Sequence, residues 1–246
     1  PLQNYGIAAL DFTSYNGTAT SIGHSLVSGL IDPEAASKNS IAEALTNIMW
    51  APLNGGLTAV SLSANWMWPC NNEGENARLY KAVEAASSFA IDLGINIPTG
   101  KDSLSMKQQY ADKEVIAPGT VIISAAAHCD DFTKAVEPLF KPSKGEVFYI
   151  NLSNDSLKLG GSSFAQTLGQ VGTEAPSVTD HRAFAETFNW VQGHIREGRI
   201  CAGHDVASGG LITSLLEMCF SDHHLGAQID LSDLGEADTI KLLFAE

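Results

Sequence analysis

The clearest periodic pattern in the chain predicts an amphipathic helix over residues 32–49. The apolar residues that recur at i, i+3, i+4 and i+7 and form one face of this helix are Ile41, Ala44, Leu45 and Ile48. Asp32 suits the N-cap, and Pro33 suits the first helical position. The pattern therefore predicts both where this helix starts and which face it buries.

Glu43 and Asn47 lie four residues apart on the same helix, so their side chains are neighbours away from the apolar face. One interpretation of this pair is a solvated polar face. The other is two oxygen ligands for a hard cation such as Mg²⁺. The spacing alone leaves both interpretations open.

Other periodic or strand-like segments complete the predicted elements. Further helices are predicted at residues 77–93, 164–168, 182–197 and 211–220. Strands are predicted at residues 5–12, 57–62, 95–97, 120–127, 146–152 and 200–204. Gly94 and Gly198 follow two of the helices and are expected to end them. Residues 63–76 are predicted as a loop, in which Trp66 and Trp68 either pack beneath the loop or stack on a base.

Strands alternate with helices on both sides of a polar stretch that contains Pro138 and Pro142, which predicts two α/β (α+β) domains. The predicted units are a first domain, a linker and a second domain, at residues 1–130, 131–145 and 146–246. The chain starts at Pro1 without a methionine and stops within an apolar run. We therefore expect it to be a segment of a longer protein, with the second domain incomplete.

The composition limits the kinds of partner that the protein can have. The 246 residues are 44% apolar and carry a formal net charge of −14, which is typical of a globular protein and argues against binding to nucleic acid or to a membrane. No apolar run approaches the ~18 residues of a membrane span. The cysteines are far apart and form no metal-binding pattern; they are Cys70, Cys129, Cys201 and Cys219. This usage predicts a reduced, cytoplasmic protein.

Three glycine-containing segments are candidates for contact with phosphate groups. They are GKDSLSMK at residues 100–107, LGGSSFAQ at 159–166 and HDVASGG at 204–210. Lys101, Ser103 and Ser105 supply donors in the first segment, and backbone amides at a helix start supply them in the other two. Asp205 is a candidate ligand for a cation that bridges phosphates. Each segment also has an ordinary interpretation as a hydrogen-bonded turn.

The histidines give weaker signals. His204 has no partner nearby in the sequence and is interpreted as structural. His223 and His224 adjoin the acidic Asp222, but we expect consecutive histidines to point to different faces. This segment is therefore assigned to a surface turn.

Six short motifs in a fixed order carry a resemblance that composition does not supply. They are ALDFTS, EALTN, LSANWM, PTGKDSLSMK, LGGSSFAQ and HDVASGG. In this order they resemble the long-chain phosphoribosylformylglycinamidine synthases over essentially the whole chain. The resemblance implies an N-terminal and a C-terminal AIR-synthetase-like domain, which together would be the second of two such units in a longer enzyme.

The resemblance also implies which residues bind Mg²⁺. Glu43, Asn47 and Asp205 match magnesium ligands of the family. Asn4 stands where the family has an aspartate, so it keeps an oxygen ligand and loses a charge. We expect cation binding at this position to be weakened.

For the nucleotide, ATP or ADP, the resemblance implies a second set of contacts. Gln3 and Ala207 occupy positions where the family has an alanine and a serine, and Ser208 is the candidate substitute for that serine. Lys101, Ser103 and Ser105 match a strongly patterned segment of the family and are expected to contact phosphate.

The implied activity belongs to purine biosynthesis. A glutamine amidotransferase of this family converts formylglycinamide ribonucleotide (FGAR), ATP, glutamine and water into formylglycinamidine ribonucleotide, ADP, phosphate and glutamate. Its first synthetase unit and its C-terminal glutaminase would be partners within the same polypeptide, so we do not expect this chain alone to complete the reaction. The alternative is a non-catalytic half that holds a nucleotide and packs against the first unit. A third interpretation is another member of the superfamily, such as an AIR synthetase or a selenophosphate synthetase.

Overall fold

The computed structural model describes residues 2–141, 145–235 and 238–246 and has a sheet packed against helices. Its strands are β1 (Tyr5–Ala9), β2 (Gly17–His24), β3 (Ser61–Met67), β4 (Asn96–Ser103), β5 (Lys107–Gln109), β6 (Glu114–Ile116) and β7 (Thr120–Cys129). Its helices are α1 (Ser28–Ile31), α2 (Pro33–Ile48), α3 (Glu75–Leu93), α4 (Ser163–Thr167), α5 (His181–Arg196), α6 (Gly210–Glu217) and α7 (Thr239–Phe244). The α/β class predicted from the sequence is confirmed.

Five strands form the main sheet in the order β1-β2-β7-β3-β4. All neighbours are antiparallel except β3 and β4, which are parallel and are connected through α3, as a parallel pair requires. β5 and β6 form a separate antiparallel pair. Gly94 and Gly198 end α3 and α5 as predicted, with φ angles of 69° and 68°.

The helix α2 forms as its pattern predicts. The Asp32 carboxylate accepts hydrogen bonds from the backbone N–H groups of Glu34 at 2.9 Å and Ala35 at 3.1 Å. All four predicted apolar residues of this helix are 0% exposed. The strand β2 approaches the helix closely, because a Cβ at Gly23 would lie 2.2 Å from the backbone nitrogen of Ala44.

The strand β2 is absent from the predicted elements because its buried positions carry small residues. These positions are Gly17, Ala19, Ser21 and Gly23. Buried and outward positions alternate along the strand, as the pleat requires. Glycine, alanine and serine do not show this alternation as a pattern of hydrophobicity in the sequence.

The strands predicted at 57–62 and 95–97 are partly confirmed, because they overlap β3 and β4 but have the wrong bounds. Gly56–Ala59 forms a 3₁₀ turn where a strand was expected, and β3 occupies part of the expected loop. The strand β4 extends to Ser103, well beyond the predicted residues 95–97. It is an edge strand that pairs with β3 on one side, and because most of its side chains are exposed its sequence shows no apolar alternation.

The structure also tests the predicted packing of Trp68 and the predicted length of β1. Trp68 is 2% exposed and lies against Gly119, where a Cβ would come within 2.3 Å of the indole ring. The interpretation of Trp68 as a packing residue is therefore confirmed. The strand β1 ends at Ala9 rather than at residue 12, and most of its residues are exposed because it forms an edge of the sheet.

The region after residue 145 has helices but no strands among the residues that the structure describes there. The strands predicted at 146–152 and 200–204 are both wrong. Phe148 in the first segment is 76% exposed and Val147 is 58% exposed. A strand needs a partner for its backbone groups, and the apolar character of a run does not supply one.

The helix α5 joins this region to the core around the main sheet. Asp180 caps it by accepting a hydrogen bond from the Ala183 N–H at 2.8 Å. Its inward residues share the hydrophobic core of α2 and α3 and are at most 1% exposed; they are Phe184, Phe188, Val191 and Ile195. The buried Gln192 amide donates to the carbonyls of Met49 and Ala51 and accepts from the Leu53 N–H.

Candidate functional site

Three of the four predicted metal ligands, Asn4, Glu43 and Asn47, line one cavity of about 890 Å³. The fourth, Asp205, lines a second cavity of about 980 Å³, which Glu43 also lines. The lining of the first cavity includes most of the predicted site residues, namely Gln3, Asn4, Glu43, Asn47, Ala207 and Ser208. The helix α2 contributes Glu43 and Asn47, and the segment before β1 contributes Gln3 and Asn4. The loop that precedes α6 contributes Ala207 and Ser208. Three parts of the chain therefore meet where the sequence analysis placed one site.

Asp205 connects this loop to the start of the chain. The Asn4 side-chain N–H group donates to both carboxylate oxygens of Asp205, at 2.9 and 3.2 Å. The side chain of Asp205 is 4% exposed. The two residues are 201 positions apart, so this contact brings the predicted Asn4 and Asp205 ligands directly together.

His204 lies beside Asp205 and between two carboxylates. Its Nδ1 atom is 3.5 Å from Asp205 Oδ1, and its Nε2 atom is 2.9 Å from Glu217 Oε2. Burial alone would lower the pKa of His204, but the carboxylates of Asp205 and Glu217 outweigh burial and raise this pKa. The structural interpretation of His204 therefore gains a specific basis, because the imidazole links the loop to α6.

Glu43 is close enough to Asp205 to sense its charge. Burial is the main cause that raises the pKa of Glu43 to about 7, and the negative charges of Asp205 and Glu246 add to the shift. The Glu43 carboxylate thus has an environment in which a nearby positive charge would be strongly favourable.

Asn47 offers an oxygen without a partner. Its side-chain N–H donates to the Ile22 carbonyl at 2.8 Å, which fixes the orientation of the amide. Its Oδ1 atom is buried and has no hydrogen-bond partner among the described residues. A buried, unpaired amide oxygen at a cavity that Glu43 also lines fits a hard cation, which prefers oxygen ligands. Glu43, Asn47 and Asp205 therefore have the chemistry that Mg²⁺ requires.

Lys101, Ser103 and Ser105 lie elsewhere. Lys101 and Ser103 belong to β4, where the Lys101 ammonium donates to the Ser103 hydroxyl and to the Asp102 carbonyl. Ser105 forms an isolated bridge with Pro69. These residues are not part of the cavity lining, although Pro98 and Thr99 at the start of β4 are. The structure does not bring them together with Glu43 and Asp205.

Glu246 is a member of this neighbourhood that the sequence did not reveal. Its Oε1 atom accepts hydrogen bonds from the backbone N–H groups of Ser163 and Gly209, each at 2.7 Å. These amides belong to the LGGSSFAQ and HDVASGG segments, so the two segments meet at one carboxylate oxygen. Glu246 follows an apolar run and carries no local signal that would have identified it.

The segment with Asp222, His223 and His224 lies in a turn and is fully on the surface, as predicted. The reason given for this assignment is wrong, however, because the two imidazole rings are adjacent, with centroids 3.9 Å apart. A turn allows consecutive side chains to approach, which a regular helix or strand does not.

No helix among the described residues is both long and apolar enough to cross a membrane. The cysteines Cys70, Cys129, Cys201 and Cys219 are all free thiols.

Comparisons with known proteins define first the class and then the family. Residues 1–128 match the family model described as the FGAR-AT PurM N-like domain, and residues 144–246 match the C-terminal domain of AIR synthase related proteins. The fold is thus that of an AIR-synthase-related protein with both characteristic domains. The chain belongs to the phosphoribosylformylglycinamidine synthase family, as the resemblance predicted.

The relatives are considerably longer than this chain. It is 40% identical to a probable chloroplastic/mitochondrial phosphoribosylformylglycinamidine synthase of Arabidopsis thaliana and 38% identical to the human phosphoribosylformylglycinamidine synthase. All of this chain is aligned in both cases, and it spans 17% and 18% of the length of these relatives.

Two solved structures share the fold. The structure described as T. maritima PurL complexed with FGAR has a TM-score of 0.62 at 14% identity, covering 88% of this chain and 33% of that one. T. maritima PurL complexed with ATP has a TM-score of 0.57 at 13% identity, covering 87% of this chain and 31% of that one.

Proposed function

We propose that this chain supplies magnesium and nucleotide ligands to a phosphoribosylformylglycinamidine synthase. The observation that carries this proposal is that Asn4, Glu43 and Asn47 line one cavity, while Asp205 is hydrogen-bonded to Asn4 and its charge acts on Glu43. The complete enzyme would use FGAR, ATP, glutamine and water, and would form formylglycinamidine ribonucleotide in purine biosynthesis. Its first synthetase unit and its glutaminase would lie in other domains of the polypeptide, so this chain would be inactive alone.

The chemistry of the proposed site follows from its donors. Mg²⁺ bound there would neutralise charge on the phosphate groups of ATP or ADP, which favours transfer of a phosphoryl group to the amide oxygen of FGAR. Glu43 and Asp205 supply negative charge, and Asn47 supplies a neutral oxygen that its bond to Ile22 holds in place. Gln3 and Ser208 offer polar side chains to the nucleotide, whereas Ala207 offers only a methyl group.

A binding experiment tests the cation and nucleotide site. Glu43→Gln and Asp205→Asn remove a charge with little change in shape, and Glu34→Gln removes one from the exposed start of the same helix. Replacing residues that only support metal ligands commonly weakens metal binding 10–100-fold, so we expect Mg²⁺-dependent binding of ADP, measured by calorimetry, to weaken about tenfold or more in the first two variants. Glu34→Gln should bind as the wild type does. Unchanged binding in Glu43→Gln would refute the proposed site.

The alternative function, a non-catalytic half that holds a nucleotide, is favoured by two observations. Asn4 donates hydrogen bonds to Asp205 rather than adding a charge, and Ala207 presents no hydroxyl. Glu43→Gln in the full-length protein separates the two functions. Loss of turnover at an unchanged melting temperature supports the catalytic function, and normal turnover with a lowered melting temperature supports the structural one.

The cytoplasmic location predicted from cysteine usage stays part of this proposal. One relative carries the name of a chloroplastic/mitochondrial protein.

A further inference from the structure

The contact between Asn4 and Asp205 has an unusual chemical character for a site rich in carboxylates. Both of its hydrogen bonds come from the same Asn4 nitrogen, Nδ2, and they reach the two oxygens of Asp205 at 3.2 and 2.9 Å. A carboxylate only accepts hydrogen bonds, so the amide nitrogen and not the amide oxygen must face it. The Asn4 oxygen is consequently turned away from Asp205.

Asp205 forms no ion pair with a lysine or an arginine among the residues that the structure describes. Glu43 and Glu246 add negative charge nearby. The basic residues that line the same cavity as Asp205 pair with other carboxylates: Lys141 with Glu137, Lys158 with Asp155 and Arg199 with Glu197. The His204 imidazole is the nearest basic group, and it also pairs with Glu217. A buried carboxylate requires compensation by hydrogen bonds or by a cation. The Asn4 amide supplies part of this compensation.

An aspartate at position 4 would have the opposite effect on the same geometry. Two carboxylates at about 3 Å cannot both stay ionised unless a cation or a shared proton lies between them. The exchange of one NH₂ group for an oxygen would therefore turn an attractive contact into one that depends on a cation.

We infer that the Asn4 amide takes the place of a divalent cation between the start of the chain and the Asp205 loop. The contact between these two segments is therefore independent of metal. The ligands that remain for the cation of the proposed function are Glu43, Asn47 and the free lone pairs of Asp205. This inference rests on the proposed function for the identity of the cation. Asn4 acts as a positioning residue, and its amide sets how much of the site depends on Mg²⁺.

The test compares melting temperatures of the protein in EDTA and in saturating Mg²⁺. Asn4→Asp should melt about 4 °C or more below the wild type in EDTA, and Mg²⁺ should restore most of the difference, whereas the wild type should respond little. Calorimetry should also show Mg²⁺ binding about tenfold tighter to Asn4→Asp than to the wild type, because the number of charged ligands rises. Asn71→Asp adds the same charge to an exposed loop and should match the wild type.

Two results would overturn the inference. One is an Asn4→Asp variant as stable in EDTA as the wild type, and the other is a wild type whose melting temperature depends on Mg²⁺ as strongly as that of the variant. If Asn4→Asp does not fold in either solution, the melting temperature of Asn4→Ala tests the inference instead. A lowered melting temperature that Mg²⁺ does not restore supports the amide contact, and an unchanged one refutes it.

The proposed function fails by a different measurement. Unchanged binding of ADP in Glu43→Gln refutes the nucleotide site, and the melting temperatures of the Asn4 variants are measured without nucleotide. The two failures are therefore distinguishable.

Discussion

The regions before and after the segment at 131–145 differ in whether their predicted strands find partners for their backbone N–H and C=O groups. In the first region, five strands exchange backbone hydrogen bonds, and even the polar edge strand β4 pairs with β3, with one shift of register. In the second region, the mainly apolar residues 146–152 form no ladder, while α5 is regular and packs into the core of the first region. A helix satisfies its own backbone and needs only an apolar surface, whereas a strand needs a neighbour. The comparison shows that α5 is the element of the second region most firmly tied to the first.

The largest loss of stability is expected from removing a contact between α5 and the core of the first region. Phe188→Ala removes a side chain that is 0% exposed in the shared core and should lower the free energy of unfolding by about 3–5 kcal/mol. Chemical denaturation measures this loss. Trp190→Ala on the same helix removes a larger side chain that is 54% exposed and should cost much less. Equal losses in the two variants would show that α5 does not pack into the core.

A smaller loss of stability is expected from replacing Asp155, a carboxylate in the second region. Burial would raise the pKa of Asp155, but hydrogen bonds from Lys158 and from the amides of Ser156 and Ser177 outweigh burial and lower this pKa. The unfolded chain then binds a proton at higher pH than the folded chain. Asp155 therefore stabilises the fold above its unfolded pKa, and this stabilisation is lost as the pH falls.

Asp155→Asn should consequently lower the free energy of unfolding by about 1 kcal/mol at neutral pH. The difference from the wild type should shrink as the pH falls towards 3, and denaturation at a series of pH values measures it. Asp112→Asn, at an exposed position, is the matched control. A difference that stays constant with pH would contradict the assignment.

The smallest change in stability is expected in the segment at residues 146–152. Phe148→Ser changes a side chain that is 76% exposed and should alter the free energy of unfolding by less than about 0.5 kcal/mol. Ile123→Ser, at a fully buried position of β7, should be strongly destabilising under the same conditions. If both serine variants were equally destabilised, the segment would be part of a packed core, and the contrast between the two regions would be lost.

The parts of the fold that could be predicted are those whose physical cause is local. The helices α2 and α5 show their apolar spacing directly in the sequence, and α2 also shows its N-cap there. The strand β2 could not be recognised because glycine, alanine and serine occupy its buried positions. The segment at 146–152 has an apolar run but no partner strand, and a run alone does not reveal whether a partner exists.

The candidate site was named through a family resemblance, because no local pattern contains its geometry. The spacing of Glu43 and Asn47 allowed a cation site without requiring one. The contact between Asn4 and Asp205 spans 201 positions, and its direction depends on which amide atom faces the carboxylate. The meeting of Ser163 and Gly209 at Glu246 depends likewise on tertiary structure.

The Gln192 amide has a consequence for how the polypeptide could be divided. Its three bonds, to the Met49 and Ala51 carbonyls and from the Leu53 N–H, satisfy backbone groups of the segment that follows α2. A cut anywhere between residues 130 and 145 would separate these groups from the one side chain that satisfies them. The two products would behave as complementary fragments of one split protein rather than as autonomous modules, even though the cut falls where composition suggests a boundary.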